Sequence, residues 1–233
     1  MNVLMEQIPL AIGPEGALTF ETFITGTNLP AFEHLRSLSM PAAPVYLWGP
    51  SGSGKSHLLR ALVHDVQGAG HCAAFFRAGD DLPWQMSPDC TLLVIDDCHA
   101  LDATAQQAAF TLFVDAATHG VQLLTAGRLP PVDLPLRDDL RTRLAWGHVF
   151  ATTCPSEAES RAALRREADR RGILLSDEVI NFLLSRFSRD MSSLMAMLDE
   201  LDEFALSLLR PVTVPLLKQM LATRAQTLKR RSA

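Results

Sequence analysis

Gly49-Pro50-Ser51-Gly52-Ser53-Gly54-Lys55-Ser56 fits the P-loop pattern G-x-x-x-x-G-K-[ST]. Its glycines let the backbone turn tightly and point successive N–H groups into one concavity. Lys55 has the reach for β- and γ-phosphates, and the Ser56 hydroxyl can enter the shell of a Mg²⁺ ion. The flanks suit that reading. Val45-Tyr46-Leu47-Trp48 before the motif is a short apolar run fit for a buried strand. Residues 55–67 after it carry Leu58, Leu59, Leu62, Val63 and Val66 at helical spacing. Strand, Gly-rich turn and helix N-terminus together form the usual phosphate cradle, which a Ser/Gly-rich surface loop would lack. Phe23 and Ile24 from the preceding segment, and His57 directly after the motif, complete the candidate nucleotide-binding set.

Further apolar runs at 72–77, 91–96, 121–126 and 148–152 predict four more strands, with helices between them, clearest at 103–118. Continuous apolar strands separated by helices predict an α/β domain built on a five-stranded parallel sheet covered on both faces. The run Leu92-Leu93-Val94-Ile95 ends in Asp96-Asp97. Behind a P-loop this is the Walker B pattern, in which Asp96 holds the Mg²⁺ shell and Asp97 is placed to orient an attacking water. Cys98 and His99 follow, but no matching Cys/His spacing elsewhere supports a metal centre. The next strand ends Thr125-Ala126-Gly127-Arg128. Thr125 either reaches the γ-phosphate region or satisfies its own turn. In Asp139-Leu140-Arg141-Thr142-Arg143-Leu144-Ala145-Trp146-Gly147, Arg143 sits at a helix end before a Trp-Gly turn. It suits a finger on a neighbour's phosphates, or is a surface arginine paired with Asp138 or Asp139.

The pattern changes after Thr153. Ser156 and Glu159 form a capping box, Gly172 stops that helix, a second starts near Asp177, and a third follows Asp190 up to Pro211. Pro215 opens a fourth helix, to about Leu228. The expected division is a poorly structured segment at 1–18, an α/β domain at 19–153 and an all-helical domain at 154–233. The first segment contains Gln7-Ile8-Pro9-Leu10-Ala11-Ile12, extended because of Pro9. It is either a peptide for a partner's groove or an edge strand folded on its own core.

Composition narrows the classes. The chain has 233 residues, 48% hydrophobic and 20% charged, with a formal net charge of −5, which argues against coating nucleic acid through bulk charge. No apolar run approaches the roughly 18 residues of a membrane span. No basic segment followed by an apolar stretch marks a signal peptide, and four scattered cysteines without C-x-x-C read as reduced core residues of a cytoplasmic protein.

The order of Walker A, Walker B, the strand ending TAGR, the RTRLAWG box and a helical lid resembles an AAA+ module of the DnaA family. Within that family it resembles the regulators that inactivate the initiator. The resemblance runs from about Gln7 to about Ala222 and implies an AAA+ fold with a four-helix lid and nucleotide, ADP or ATP with Mg²⁺, between the domains. RTRLAWG matches the family's arginine-finger box, with Arg143 at the finger position. QIPLAI matches the hexapeptide that docks on the DNA polymerase III sliding clamp (its β subunit), through Gln7, Leu10 and Ile12. The chain has no room after the lid for the initiator's DNA-reading domain, so a regulator is expected. The implied task is to promote, with the DNA-loaded clamp, hydrolysis of the ATP held by DnaA. DNA is then met mainly through the clamp, no membrane is involved, and a homodimer stays open. Two positions depart from the family pattern: Gly127 stands where a polar sensor residue is usual, and Ser192 where the lid's sensor arginine sits, with Arg189 nearby. These departures imply weak hydrolysis by the chain itself. The alternatives are an AAA+ helicase loader, which is expected to lack the clamp hexapeptide, and a nucleotide-stabilised scaffold with no catalytic effect.

Overall fold

Alternate residues of the apolar runs face opposite sides of one sheet. Tyr46, Leu93, Ile95 and Leu123 enter one core, while Val45, Leu47, Leu92, Val94, Leu124 and Ala126 enter another. The computed structural model describes residues 18–186 and 191–231. Its strands are β1 (Val45–Trp48), β2 (Cys72–Arg77), β3 (Cys90–Asp96), β4 (Gln122–Gly127) and β5 (His148–Ala151). They pair in parallel in the order β2-β3-β4-β1-β5. The five-stranded parallel α/β fold is therefore as the sequence predicts.

Helices α1 (Leu29–Arg36) and α2 (Lys55–Gly68) supply the core on one face of the sheet. Helices α3 (Ala103–His119) and α4 (Asp138–Leu144) supply the other. The side chain of Asp102 caps α3 by accepting from the N–H groups of Thr104 and Ala105 at 2.9 and 2.8 Å. At its far end Gly120 is left-handed and the Val121 N–H returns to the Ala116 carbonyl at 2.9 Å. Val121 is thus part of the helix stop, and β4 starts one residue later than the apolar run suggests. At β3 the shift is the other way: Cys90 pairs with Cys72 beside a register irregularity, which extends the strand by one residue.

A division into two compact units falls between Cys154 and Pro155. The second unit holds α5 (Glu157–Arg171), α6 (Asp177–Arg186), α7 (Met191–Leu208) and α8 (Val214–Arg231). Ser156 and Glu159 make the reciprocal capping box of α5, and left-handed Gly172 closes it. Leu164, Val179, Ile180, Leu183, Leu194, Leu198, Leu201, Leu216 and Leu217 form this unit's own core. It is the small four-helix lid expected after the sheet. No described helix is long and apolar enough to cross a membrane.

Candidate nucleotide site and arginine box

Two glycines of the loop at 49–56 occupy places closed to any side chain. A Cβ on Gly49 would lie 2.1 Å from the Thr152 carbonyl oxygen. Gly54 has φ +91°, and a Cβ there would lie 2.6 Å from the Phe23 ring. The loop is held from beneath. Ser53 Oγ meets Thr152 Oγ1 at 2.7 Å, and the buried Phe23 ring stands edge-on to His57, 5.3 Å between centroids. His57 Nε2 lies 2.8 Å from the Thr19 carbonyl oxygen, which can only accept, so this nitrogen carries the proton. Burial holds the His57 imidazole below its ordinary pKa, favouring that neutral form. Ile24 is half-buried in the same segment, and Pro50 and Ser51 form the loop's outer turn.

Gly54 is the N-cap of α2 and no side chain caps that helix end, so its first N–H groups are left to an anion. Lys55 is buried, and its Nζ donates to the carbonyls of Gly49 and Pro50, both at 2.8 Å, and to Ser53 Oγ at 3.3 Å. It has no ion-pair partner among the described residues. Burial lowers its pKa, and the Asp96 and Asp97 charges pull the other way. Ser56 Oγ donates to Asp96 Oδ2 at 2.6 Å, which brings Walker A and Walker B together. Asp96 Oδ1 accepts from the Asp97 N–H at 2.8 Å. An uncapped helix end, a cradle only glycine fits, a buried cation with no ion-pair partner among the described residues and a Ser–Asp pair all fit a polyphosphate with Mg²⁺.

Three other residues determine what the site lacks. Asp97, at φ +54°, does not face outward free: its Oδ2 accepts from Arg77 Nε at 2.8 Å, from the end of the neighbouring β2. Gly127, the last residue of β4, is in register with Trp48, between the ends of β1 and β3. A Cβ on it would lie 2.3 Å from the Tyr46 hydroxyl. That hydroxyl donates to the Leu129 carbonyl at 2.8 Å, and Tyr46 is 1% exposed. The space that a side chain at position 127 would need is thus filled from β1. Thr125 is buried two residues earlier and donates sideways to the Val45 carbonyl at 3.3 Å, rather than to its own turn.

Arg143 lies in the last turn of α4. The two carboxylates that the sequence offers it pair elsewhere: Asp138 with Arg141 and Asp139 with Arg137, each at 2.6 Å. Arg143 has no carboxylate partner among the described residues, and its guanidinium carbon lies over the Phe110 ring, 4.9 Å from the centroid.

Comparison with known proteins fits this arrangement. The family described as "Hda, lid domain" matches residues 157–221. An uncharacterized protein of Haemophilus influenzae is 30% identical over 227 residues, 93% of this chain and 98% of that one. The crystal structure of domain III of the Thermotoga maritima replication initiation protein DnaA superposes with a TM-score of 0.71 at 19% identity, covering 91% of this chain and 98% of that one. The chain belongs to the Hda-like, DnaA-related proteins. AMPPCP-bound DnaA from Aquifex aeolicus shares the fold with a TM-score of 0.65 at 20% identity, over 80% of this chain and 65% of that one.

Within that family frame, the structure gathers the loop 49–56, His57, Phe23 and Asp96 into one place, and sets Arg143 on a separate helix. Gln7, Leu10, Ile12 and Arg189 lie outside the described residues, as does the side chain of Ser192. Sequence reading missed Arg77, Tyr46 and Phe110, whose parts depend on which strands and helices become neighbours.

Proposed function

We propose that this protein regulates replication initiation by promoting hydrolysis of the ATP that DnaA holds. Arg143, with no carboxylate partner among the described residues, carries the reading. A cation at a helix end, with Asp138 and Asp139 of the same helix committed to other arginines, is suited to an anion from another molecule. Phosphoryl transfer spreads charge over the γ-phosphate oxygens, and a guanidinium can meet two of them at once. A finger supplied in trans is worth about 10³–10⁵ in rate, or about 4–7 kcal/mol of barrier. An exposed ion pair would add only about 0–1 kcal/mol, and only to stability.

The chain's own nucleotide has another part. The N–H groups of the loop, Lys55 and the first turn of α2 would hold ADP or ATP, as DnaA from Aquifex aeolicus holds AMPPCP. Ser56 and Asp96 would hold Mg²⁺, which neutralises phosphate charge when bound. Own hydrolysis is slow in this reading, because Arg77 occupies Asp97 and the end of β4 presents no side chain. Gln7, Leu10 and Ile12 would anchor the protein on the DNA-loaded sliding clamp, with the glutamine amide hydrogen-bonded and the two apolar side chains in a pocket.

The test follows hydrolysis of DnaA-bound ATP with purified protein, ADP and clamp loaded on DNA. Arg143→Ala is expected to keep the fold, ADP and clamp binding while losing nearly all stimulation. Arg143→Lys should fail almost as badly, because an ammonium cannot make the forked contact. Stimulation by Arg143→Ala within a few-fold of wild type would instead mean a scaffold.

A further inference from the structure

The helix under Arg143 presents a bracket rather than a plain surface. Along α3, Gln106 Oε1 accepts from the Arg137 N–H at 3.0 Å, and Gln107 accepts from the Arg137 guanidinium. One turn further on, the half-buried Phe110 ring lies beneath Arg143 at 4.9 Å and near Arg137 at 5.8 Å. The glutamines thus fix the start of α4 and the ring fixes its end. The two arginines differ in what else holds them. Arg137 is also bound to Asp139, so its charge is met. For Arg143, no side-chain hydrogen bond or ion pair occurs among the described residues, and its guanidinium rests on the Phe110 ring.

We infer that Phe110 is a positioning residue for Arg143, holding the guanidinium ready for the phosphates of a partner's nucleoside triphosphate. The inference rests on the reading of Arg143 as a finger. The physical argument is one of freedom. A long side chain on an exposed helix end samples many rotamers, and locking it at the moment of reaction costs rate. A carboxylate could restrain the arginine, but it would also consume the fork of N–H donors and cancel the charge. An aromatic face restrains it through the ring quadrupole and leaves those donors uncommitted. Phe110 therefore suits a cation that must be ordered and still available.

The experiment uses the full chain in two measurements. Side-chain ¹H–¹⁵N spectra report the Arg143 Nε–H, identified by its loss in Arg143→Ala. A ring-current shift to high field is expected in the wild type and in Phe110→Tyr, and its absence in Phe110→Leu. Wild-type protein without that shift would overturn the inference even if Phe110→Leu did not fold. Rates of DnaA-bound ATP hydrolysis, at increasing protein with clamp loaded on DNA, supply the second measurement. Phe110→Leu is expected to lower the maximal rate roughly three- to thirtyfold, the range a cation–π contact spans, with the half-saturating concentration unchanged. Phe110→Tyr is expected to restore the rate. If Arg143→Ala abolishes stimulation while Phe110→Leu retains it, or Phe110→Tyr fails to restore it, the positioning role is wrong and the finger stands. If Arg143→Ala leaves stimulation unchanged, the finger reading fails, and the positioning role with it.

Discussion

At the scale of single residues, the absence of a side chain at Gly127 is enforced by its neighbour. Tyr46 fills the space, is buried in the sheet's core and spends its hydroxyl on the Leu129 carbonyl. Gly127→Asn is therefore expected to cost about 1–3 kcal/mol of stability by overpacking. Tyr46→Phe removes the colliding oxygen together with its hydrogen bond to the Leu129 carbonyl, about 0.5–1.5 kcal/mol by itself. Denaturant melts of both single variants and the double variant test the pair: the double is expected to be clearly less destabilised than the sum. Additive effects would mean that the two positions do not meet. Such contacts explain what the sequence hides. The loop at 49–56 and Asp96 are legible because their residue types and spacing are local. Arg77 on Asp97, Tyr46 on Gly127 and Phe110 under Arg143 join residues that only sheet order and helix packing bring together.

At the scale of elements, strand and helix types follow from apolar runs and spacing, and their ends do not. Val121 looks like the first residue of β4 until the helix stop at Gly120 claims its N–H. The turn between β1 and α2 shows a similar dependence on what lies below it, here the neutral His57. Its folded pKa is depressed by burial below the ordinary 6.5. A depressed pKa gives stability that is full above the unfolded value and is lost as pH falls through the folded one. Thermal stability is therefore expected to decline from about pH 7 to pH 5, the window in which free histidine titrates. His57→Gln should flatten that decline. His34, whose pKa is also lowered by burial, with the His148 charge acting in the same direction, should account for part of the remainder. An identical pH profile for His57→Gln and the wild type would exclude His57 as a contributor.

At the scale of the whole molecule, net charge bears on the proposed route to DNA. A chain of net charge −5 has little to gain from releasing counterions along a duplex. Without the clamp it is expected to bind duplex DNA more weakly than about 10⁻⁴ M at physiological salt, the weak end for non-specific binders. With the clamp loaded, it should be retained, and Gln7→Ala with Leu10→Ala should abolish retention while leaving the melting temperature alone. Undiminished retention of that double variant in a pull-down would rule out the hexapeptide as the anchor. Strong, salt-sensitive binding to bare duplex would rule out the clamp as the main route.

The contact between Tyr46 and Gly127 also bears on how such a protein can change over generations. A lineage that gained a polar side chain at the end of β4 in one step would first meet the tyrosine oxygen and lose stability. The reverse order, Tyr46 shrinking before Gly127 grows, avoids the collision but first gives up the hydrogen bond to the Leu129 carbonyl. Either first step is a loss, so the two positions hold each other in place, and a side chain at Gly127 needs both to move.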